Sequence, residues 1–282
     1  RRQRQMCIRD RLFPGGDASE LTWLYEKSTA ARLLNAQVLA SISEIRESLG
    51  RPIRILEVGA GTGGTTSAVI PALGIGDQYL FTDVSPFLVE GARARFAEVP
   101  QMSFEVLDLE KKSLELEGFD LVLAANVLHA TKDLEKSLAQ VHRMLAPGGY
   151  MVLLEGIQPL LWLDLIFGLT KGWWGFDDAW RVDYPLLSEE RWHKIFSAKE
   201  WESATVTEGG LPQAVFVARK LLLDDKLNLF SSISLAGGLE EGVKRLLKEV
   251  QTNPARNFTV LTQGAMTDPE QAAIWGLART IG

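Results

Sequence analysis

The stretch ILEVGAGTGGTT, Ile55 to Thr66, runs an apolar segment straight into a cluster of glycines and small hydroxyl residues. It reads as a buried strand, a sharp backbone turn and the first turn of a helix. Small residues at such a turn let a ligand approach a helix N-terminus. Two registers fit. Gly59-x-Gly61-x-x-Gly64 has the dinucleotide spacing, whereas Glu57-x-Gly59-x-Gly61-x-Gly63 sets an acidic residue ahead of the glycines. Taken alone, the loop does not choose between them.

Outward from this loop, Arg54 to Glu155 alternates short apolar runs with amphipathic segments of helical length. That rhythm predicts βαβ units and a parallel sheet. The expected strands are IRILEV (53–58), QYLFTD (78–83), MSFEVLD (102–108), FDLVLAAN (119–126) and GYMVLLEG (149–156). Leu134, Leu138, Val141 and Leu145 repeat at helical spacing, and APGG (146–149) is expected to stop that helix. ELTWLYEKSTAARLLNAQVLASISEIRESL (20–49) reads as one or two helices ahead of the core. After the fifth strand come an aromatic segment, a helix over SEERWHKIF, and two strands near WESATVTE (201–208) and AVFVARK (214–220). The fold class is therefore α/β, with five parallel strands, a terminal pair and helices on both faces. This is the strand count of the Rossmann-like sheet of class I methyltransferases.

Two features decide between a nicotinamide cofactor and S-adenosylmethionine. Glu57 stands where a dinucleotide site usually has an apolar residue, and where methyltransferases commonly place an acid supporting the loop and the cationic methionine end. The third strand ends in VLDLE, setting Asp108 where an adenine amino group could be bound. Asp83, closing the second strand, can accept hydrogen bonds from ribose hydroxyls, which both cofactors carry. Three acids at successive strand ends favour S-adenosylmethionine; a Rossmann-like core without cofactor is the alternative.

His129 follows the fourth strand in AANVLHAT, and Glu155 closes the fifth in MVLLEG. Both are expected on the rim where the carboxyl ends of neighbouring parallel strands meet a ligand. An imidazole takes a proton near neutral pH, and a carboxylate beside it fixes the tautomer and stabilises the imidazolium. Singly, His129 could be a loop residue satisfied by backbone, and Glu155 a cap or the partner of a surface cation. Together they suit abstraction of a C–H or O–H proton. The three histidines, 129, 142 and 193, show no ligand spacing, so no metal is expected. His142 and His193 fall on helices and read as surface residues. Trp162, Phe167, Trp173, Trp174, Phe176, Trp180 and Tyr184 could form a lid over an apolar acyl substrate or the core of a helical cap. Tyr25 could reach the cofactor from the N-terminal helices.

Bulk composition narrows the partners. A formal net charge of −6 argues against a nucleic-acid partner held by phosphate contacts. The single cysteine, Cys7, excludes an internal disulfide and suits a reducing cytoplasm. The most apolar run, Ile157 to Leu169, is short and broken by Pro159 and Asp164, so no membrane span is expected. Five arginines among residues 1–11 could form a basic arm. The string MCIRDR looks like a translated library adapter, so residues 1–11 are read as a disordered or non-native tail without a role.

From Leu12 to Lys220 the chain resembles the C-methyltransferase domain of polyketide synthases. The resemblance rests on LFPGGD, LYEKSTAARLLN, ILEVGAGTGG, YLFTDVSP, FDLVLAANVLHAT, LAPGGYMVLLEG and WWGFDD. It departs mildly at Tyr25–Arg32, where the family reads closer to YxDSPxAR. The resemblance implies an N-terminal helical lid, His129 and Glu155 as the catalytic pair, and α-methylation of a β-ketoacyl thioester. The acyl group would be carried on the phosphopantetheine of an acyl carrier protein, with dehydratase and ketoreductase domains as neighbours. The cofactor set expected on this reading is Glu57, Gly59, Ala60, Gly61, Thr62, Gly63, Asp83, Val84, Asp108, Leu109 and Asn126. Residues 221–282 have βαβα character, and FTVLTQGAMTDPEQAAIWGLARTIG resembles the structural subdomain of a polyketide synthase ketoreductase. Two other functions remain open: an O- or N-methyltransferase acting on a free small molecule, and a non-catalytic pseudo-methyltransferase that spaces synthase domains.

Overall fold

Each central strand is apolar on both sides, as a parallel sheet covered on both faces requires. A computed structural model describes residues 22–111, 116–168, 170, 172–198, 201–206 and 211–221. Five strands run parallel: β1 (Arg54–Val58), β2 (Gln78–Asp83), β3 (Met102–Val106), β4 (Phe119–Ala125) and β5 (Leu145–Gly156). Two more complete the sheet, β6 (Trp201–Thr205) and β7 (Gln213–Lys220), in the order β3-β2-β1-β4-β5-β7-β6. β7 is antiparallel to both its neighbours.

Alternation along the strands builds two cores. Ile55, Tyr79, Phe81, Leu121, Leu123, Val152 and Leu154 share one with Leu34, Val38, Ile42 and Ile45 of α1 (Thr29–Leu49). Also on that side lie α2 (Gly64–Val69) and α3 (Pro86–Arg95). Leu56, Val58, Leu80, Val122, Ala124, Met151 and Leu153 belong to the other core. It includes Leu134, Leu138 and Val141 of α4 (Leu134–Met144), and Trp192, Ile195 and Phe196 of α6 (Glu189–Ala198). A short helix, α5 (Leu161–Ile166), lies between β5 and α6 in the chain.

Local chemistry sets the helix ends. Ser28 caps α1 by accepting from the Ala31 amide at 3.1 Å, and a π-helical turn, Trp23–Lys27, precedes it. Asp133 caps α4 in the same way, through the Lys136 amide. At the edge of the sheet opposite the rim, buried Asp77 accepts from the amides of Ile53 and Gly74 and from Arg46 Nε.

Three boundaries differ from expectation. β5 begins at Leu145, so Pro147–Gly149 lie inside the strand, where its register against β4 shifts between Phe119 and Leu121. A local irregularity absorbs the proline and glycines that a regular ladder would reject. β3 ends at Val106 and β6 at Thr205, earlier than their apolar patterns imply. His142, expected at the surface, is half-buried, its ring standing edge-on to Trp201 at 5.1 Å. The chain divides into two units at Lys220/Leu221. The expectations for residues 1–11 and for the C-terminal unit beyond 221 lie outside the described residues.

Candidate active site

The glycine loop leaves β1 at Val58 and enters α2 at Gly64. Gly59, Gly61 and Gly63 all have left-handed backbones, with φ of +60°, +59° and +76°. At Gly59 a side chain is excluded twice over, because a Cβ there would meet Val127 Cγ2 at 2.2 Å. Gly61 is different: a Cβ would find nothing closer than the Gly59 carbonyl oxygen at 4.0 Å, so its outer side is open. The loop is stitched internally, Ala60 donating to the Thr82 carbonyl at 2.9 Å and Gly63 to the Ala60 carbonyl at 3.0 Å. The Thr62 carbonyl accepts from Arg95, which also pairs with Glu26 of the N-terminal turn at 2.7 Å.

The expected acids sit in distinct surroundings. Glu57 is buried below the loop, with one oxygen accepting from Thr66 at 2.5 Å and Tyr79 at 2.6 Å. Its other oxygen, Oε1, is buried without a hydrogen-bond partner. Burial pushes the carboxyl up to about 7. Asp83 braces the loop from the next strand, Oδ2 accepting from the Gly61 amide at 2.9 Å and Oδ1 from the Ser85 amide at 2.8 Å. Val84 beside it is exposed. Asp108 lies beyond the end of β3 and accepts from the Glu110 amide, while the Leu109 side chain is in the core.

At the ends of β4 and β5 the expected pair does meet. His129 Nδ1 is 2.7 Å from Glu155 Oε2. The second oxygen, Oε1, accepts from the amides of Val127 (3.1 Å), Leu128 (2.8 Å) and His129 itself (3.3 Å). The fully buried carboxylate is thus satisfied by the turn that bears its partner. Because an ionised carboxylate only accepts, Nδ1 carries the shared proton and Nε2 is left as the basic nitrogen. Adjacent registry, Ala125 opposite Leu154, is what brings the two together. Just past β4, Asn126 adopts φ +53°, a left-handed conformation that asparagine tolerates, with Oδ1 accepting from Gln213 of β7.

The aromatic segment is buried in part and exposed in part. Trp173 is buried and stands edge-on to the His129 ring at 5.4 Å, with Phe167 stacked on it and Tyr184 at its edge. Trp162 and Trp174 are exposed. The Tyr25 phenol is pushed up to about 12, by burial first and then by the charge of Glu155. Its main chain also backs Gly64, where a Cβ would meet the Tyr25 oxygen at 2.8 Å. Sequence reasoning missed Arg181, which donates to the carbonyls of His129 and Thr131, and Asp178, which holds Arg181 and accepts from the Leu134 amide. A charged pair three residues apart in an otherwise aromatic stretch, WWGFDDAWR, was the available signal. No described helix is long and apolar enough to cross a membrane.

The cofactor fits these residues. The open side of Gly61 is a cradle that any side chain would fill, and Asp83 on the next strand bonds the Gly61 amide.

Residues 56–151 match the family model described as "Methyltransferase domain". The chain is 41% identical to the non-reducing polyketide synthase AC of Didymella fabae, over 69% of this chain but 8% of that protein. It therefore spans less than a tenth of that curated relative. Among solved structures, the CurJ carbon methyltransferase is 38% identical with a TM-score of 0.72, covering 76% of this chain and 61% of that one. The citrinin polyketide synthase CMeT domain is 33% identical with a TM-score of 0.70, covering 76% and 60%. Sheet order, glycine loop and these likenesses agree: the chain contains a class I S-adenosylmethionine-dependent methyltransferase domain homologous to the C-methyltransferase domains of polyketide synthases.

Proposed function

We propose that this domain methylates the α-carbon of a β-ketoacyl thioester presented on the phosphopantetheine of an acyl carrier protein, within a cytoplasmic synthase. The observation that carries this reading is the 2.7 Å contact between His129 Nδ1 and Glu155 Oε2, at the strand ends beside the glycine loop. With Nδ1–H committed to Glu155, Nε2 takes one of the protons between the two carbonyls, and the electron pair stays on the enolate. Buried Glu155 stabilises the imidazolium that forms. When bound, S-adenosylmethionine supplies a methyl group already activated by its sulfonium centre, for which the enolate carbon is the acceptor. Glu57, Asp83 and the glycine loop would hold it, with Val84, Asp108 and Asn126 at the margin. The rest of the rate comes from orientation, to which Trp173 contributes by walling one side of His129. Residues 12–220 would be the methyltransferase domain, Tyr25 and its neighbours the lid, and 221–282 part of a ketoreductase-like subdomain.

The test is the intact mass of a β-ketoacyl carrier protein after incubation with this chain and S-adenosylmethionine, beside a β-hydroxyacyl carrier. A gain of one methyl group on the keto species alone is expected. Transfer to neither carrier, with cofactor bound, would move the acceptor to a free small molecule. No cofactor binding at all would leave a scaffold domain.

A further inference from the structure

The short 3₁₀ turn that carries His129, Leu128–Ala130, is gripped on two sides. Its amides point to Glu155, as described. Its carbonyls point the other way. Arg181 donates from one terminal nitrogen to the His129 carbonyl and from the other to the Thr131 carbonyl, each at 2.7 Å. The guanidinium has no solvent exposure and lies 5.3 Å from the centre of the Phe176 ring. Asp178 balances its charge, with Oδ2 accepting from Arg181 Nε at 2.9 Å. The same carboxylate accepts from the amides of Trp180 and Arg181, and from Leu134 at the start of α4.

A buried ion pair contributes little net stability compared with apolar packing, so its presence calls for another account. Here each member also bonds the backbone. Glu155 holds the amides of the peptide groups leading up to His129, and Arg181 holds the carbonyls of those that follow it, so the two charges fix successive peptide groups on either side of one residue. A planar fork is needed for this, because it must span two carbonyls and a carboxylate at once, which a single ammonium nitrogen cannot do.

We propose that Arg181, held by Asp178, is a positioning residue: it fixes the main chain of His129 so that Nδ1 meets Glu155 and Nε2 faces the reacting carbon. This rests on the reading of His129 and Glu155 as the proton-accepting pair. Arg181 touches no substrate; it acts through the turn.

The test uses the full chain carrying Arg181→Lys, and separately Arg181→Met with Asp178→Asn, which leaves no buried charge unpaired. Four quantities are read: thermal unfolding, S-adenosylmethionine affinity, the low-field proton resonance of the His129–Glu155 hydrogen bond, and kcat and KM with a β-ketoacyl carrier protein. The lysine variant is expected to fold and bind cofactor like the parent, with the resonance displaced or broadened. Its kcat should fall on the order of 100-fold, the scale of a 1 Å misplacement, with KM little changed. An unchanged resonance and kcat in a folded variant would overturn the proposal. A displaced resonance with kcat intact would uphold Arg181 as the positioner and remove the His129–Glu155 pair from the chemistry. If the lysine variant does not fold, the double variant is judged by the same two readouts. Failure of both to fold would make the pair a requirement of folding and overturn the narrower role.

Discussion

His129 is bonded to Glu155 twice, through its ring and through its main chain: Nδ1 lies 2.7 Å from Oε2, and its amide donates to Oε1 at 3.3 Å. One carboxylate therefore sets both the tautomer of the imidazole and the turn on which it stands. Replacing His129 by alanine removes the base while leaving that turn bonded. Methyl transfer should fall by about 10²–10⁴-fold. Calorimetric titration with S-adenosylmethionine should show affinity near the parent's. A variant that keeps most of its turnover would exclude His129 from the mechanism.

Glu155→Gln should be worse for the fold than His129→Ala. A carboxamide has one accepting oxygen, but the site presents three amides on one side and an imidazole N–H on the other. With its oxygen on the three amides, its NH2 faces Nδ1, which must then accept, so the imidazole proton moves to Nε2 and no basic nitrogen faces the rim. A loss of about 1–3 kcal/mol is expected because three amides and the imidazole exchange a charged acceptor for a neutral group, together with loss of methyl transfer. Chemical denaturation beside turnover checks both; parent-like stability would mean the carboxylate is not the turn's main support.

Gly59 and Gly61 share a left-handed backbone but not a neighbourhood. Gly61→Ala should cost about 1–2 kcal/mol, the intrinsic penalty of that conformation, since nothing lies in the path of its Cβ. Gly59→Ala adds a collision with Val127, the residue beginning the His129 turn, and should abolish cofactor binding and dislodge the turn. Shortening the obstacle in Gly59→Ala/Val127→Ala should restore part of the stability but not the conformational share. Equal effects of the two single alanines would show that Val127 yields freely.

Glu57 predicts a pH dependence. Burial lifts its carboxyl from an ordinary 4.5 to about 7, a rise opposed by the bonds from Thr66 and Tyr79. Between those values the native state holds more protons than the unfolded chain. Its contribution to stability is complete below about 4.5 and is lost as pH rises through about 7. The total is on the order of 3 kcal/mol. Glu57→Gln has no such titration, so its stability relative to the parent should improve between about pH 5 and about pH 8. Urea unfolding at the two values is the check, and a constant difference would contradict the assignment.

The sheet and the pair were legible for the same reason. Apolar runs of strand length mark the parallel strands, and an unusual residue just past such a run, Glu155 after MVLL or His129 after FDLVLAAN, must emerge at the rim. Legibility failed where a partner comes from far along the chain. Nothing periodic in WWGFDDAWR ties Arg181 to carbonyls 50 and 52 residues earlier. His142 looked like a surface residue because its helix face could be judged only once Trp201 was known to cover it. Proline and glycine at 147–149 signalled a break, but a strand with neighbours on both sides can carry an irregularity without ending.

The reversal of β7 has a consequence for the route of the chain. Gln213 pairs with Gly156 at the catalytic rim, and six residues on Arg219 pairs with Tyr150 toward the opposite pole. There Lys220 donates to the carbonyls of His142 and Leu145, pinning the strand's last residue to the end of α4. Every parallel strand delivers its following loop to the rim; this one alone carries the backbone away from it. Lys220 therefore closes the strand at the pole of the sheet away from His129, and its two carbonyl bonds are made out of reach of the His129–Glu155 pair. The strand with the opposite direction ties the rim bearing Glu155 to the far pole of the sheet.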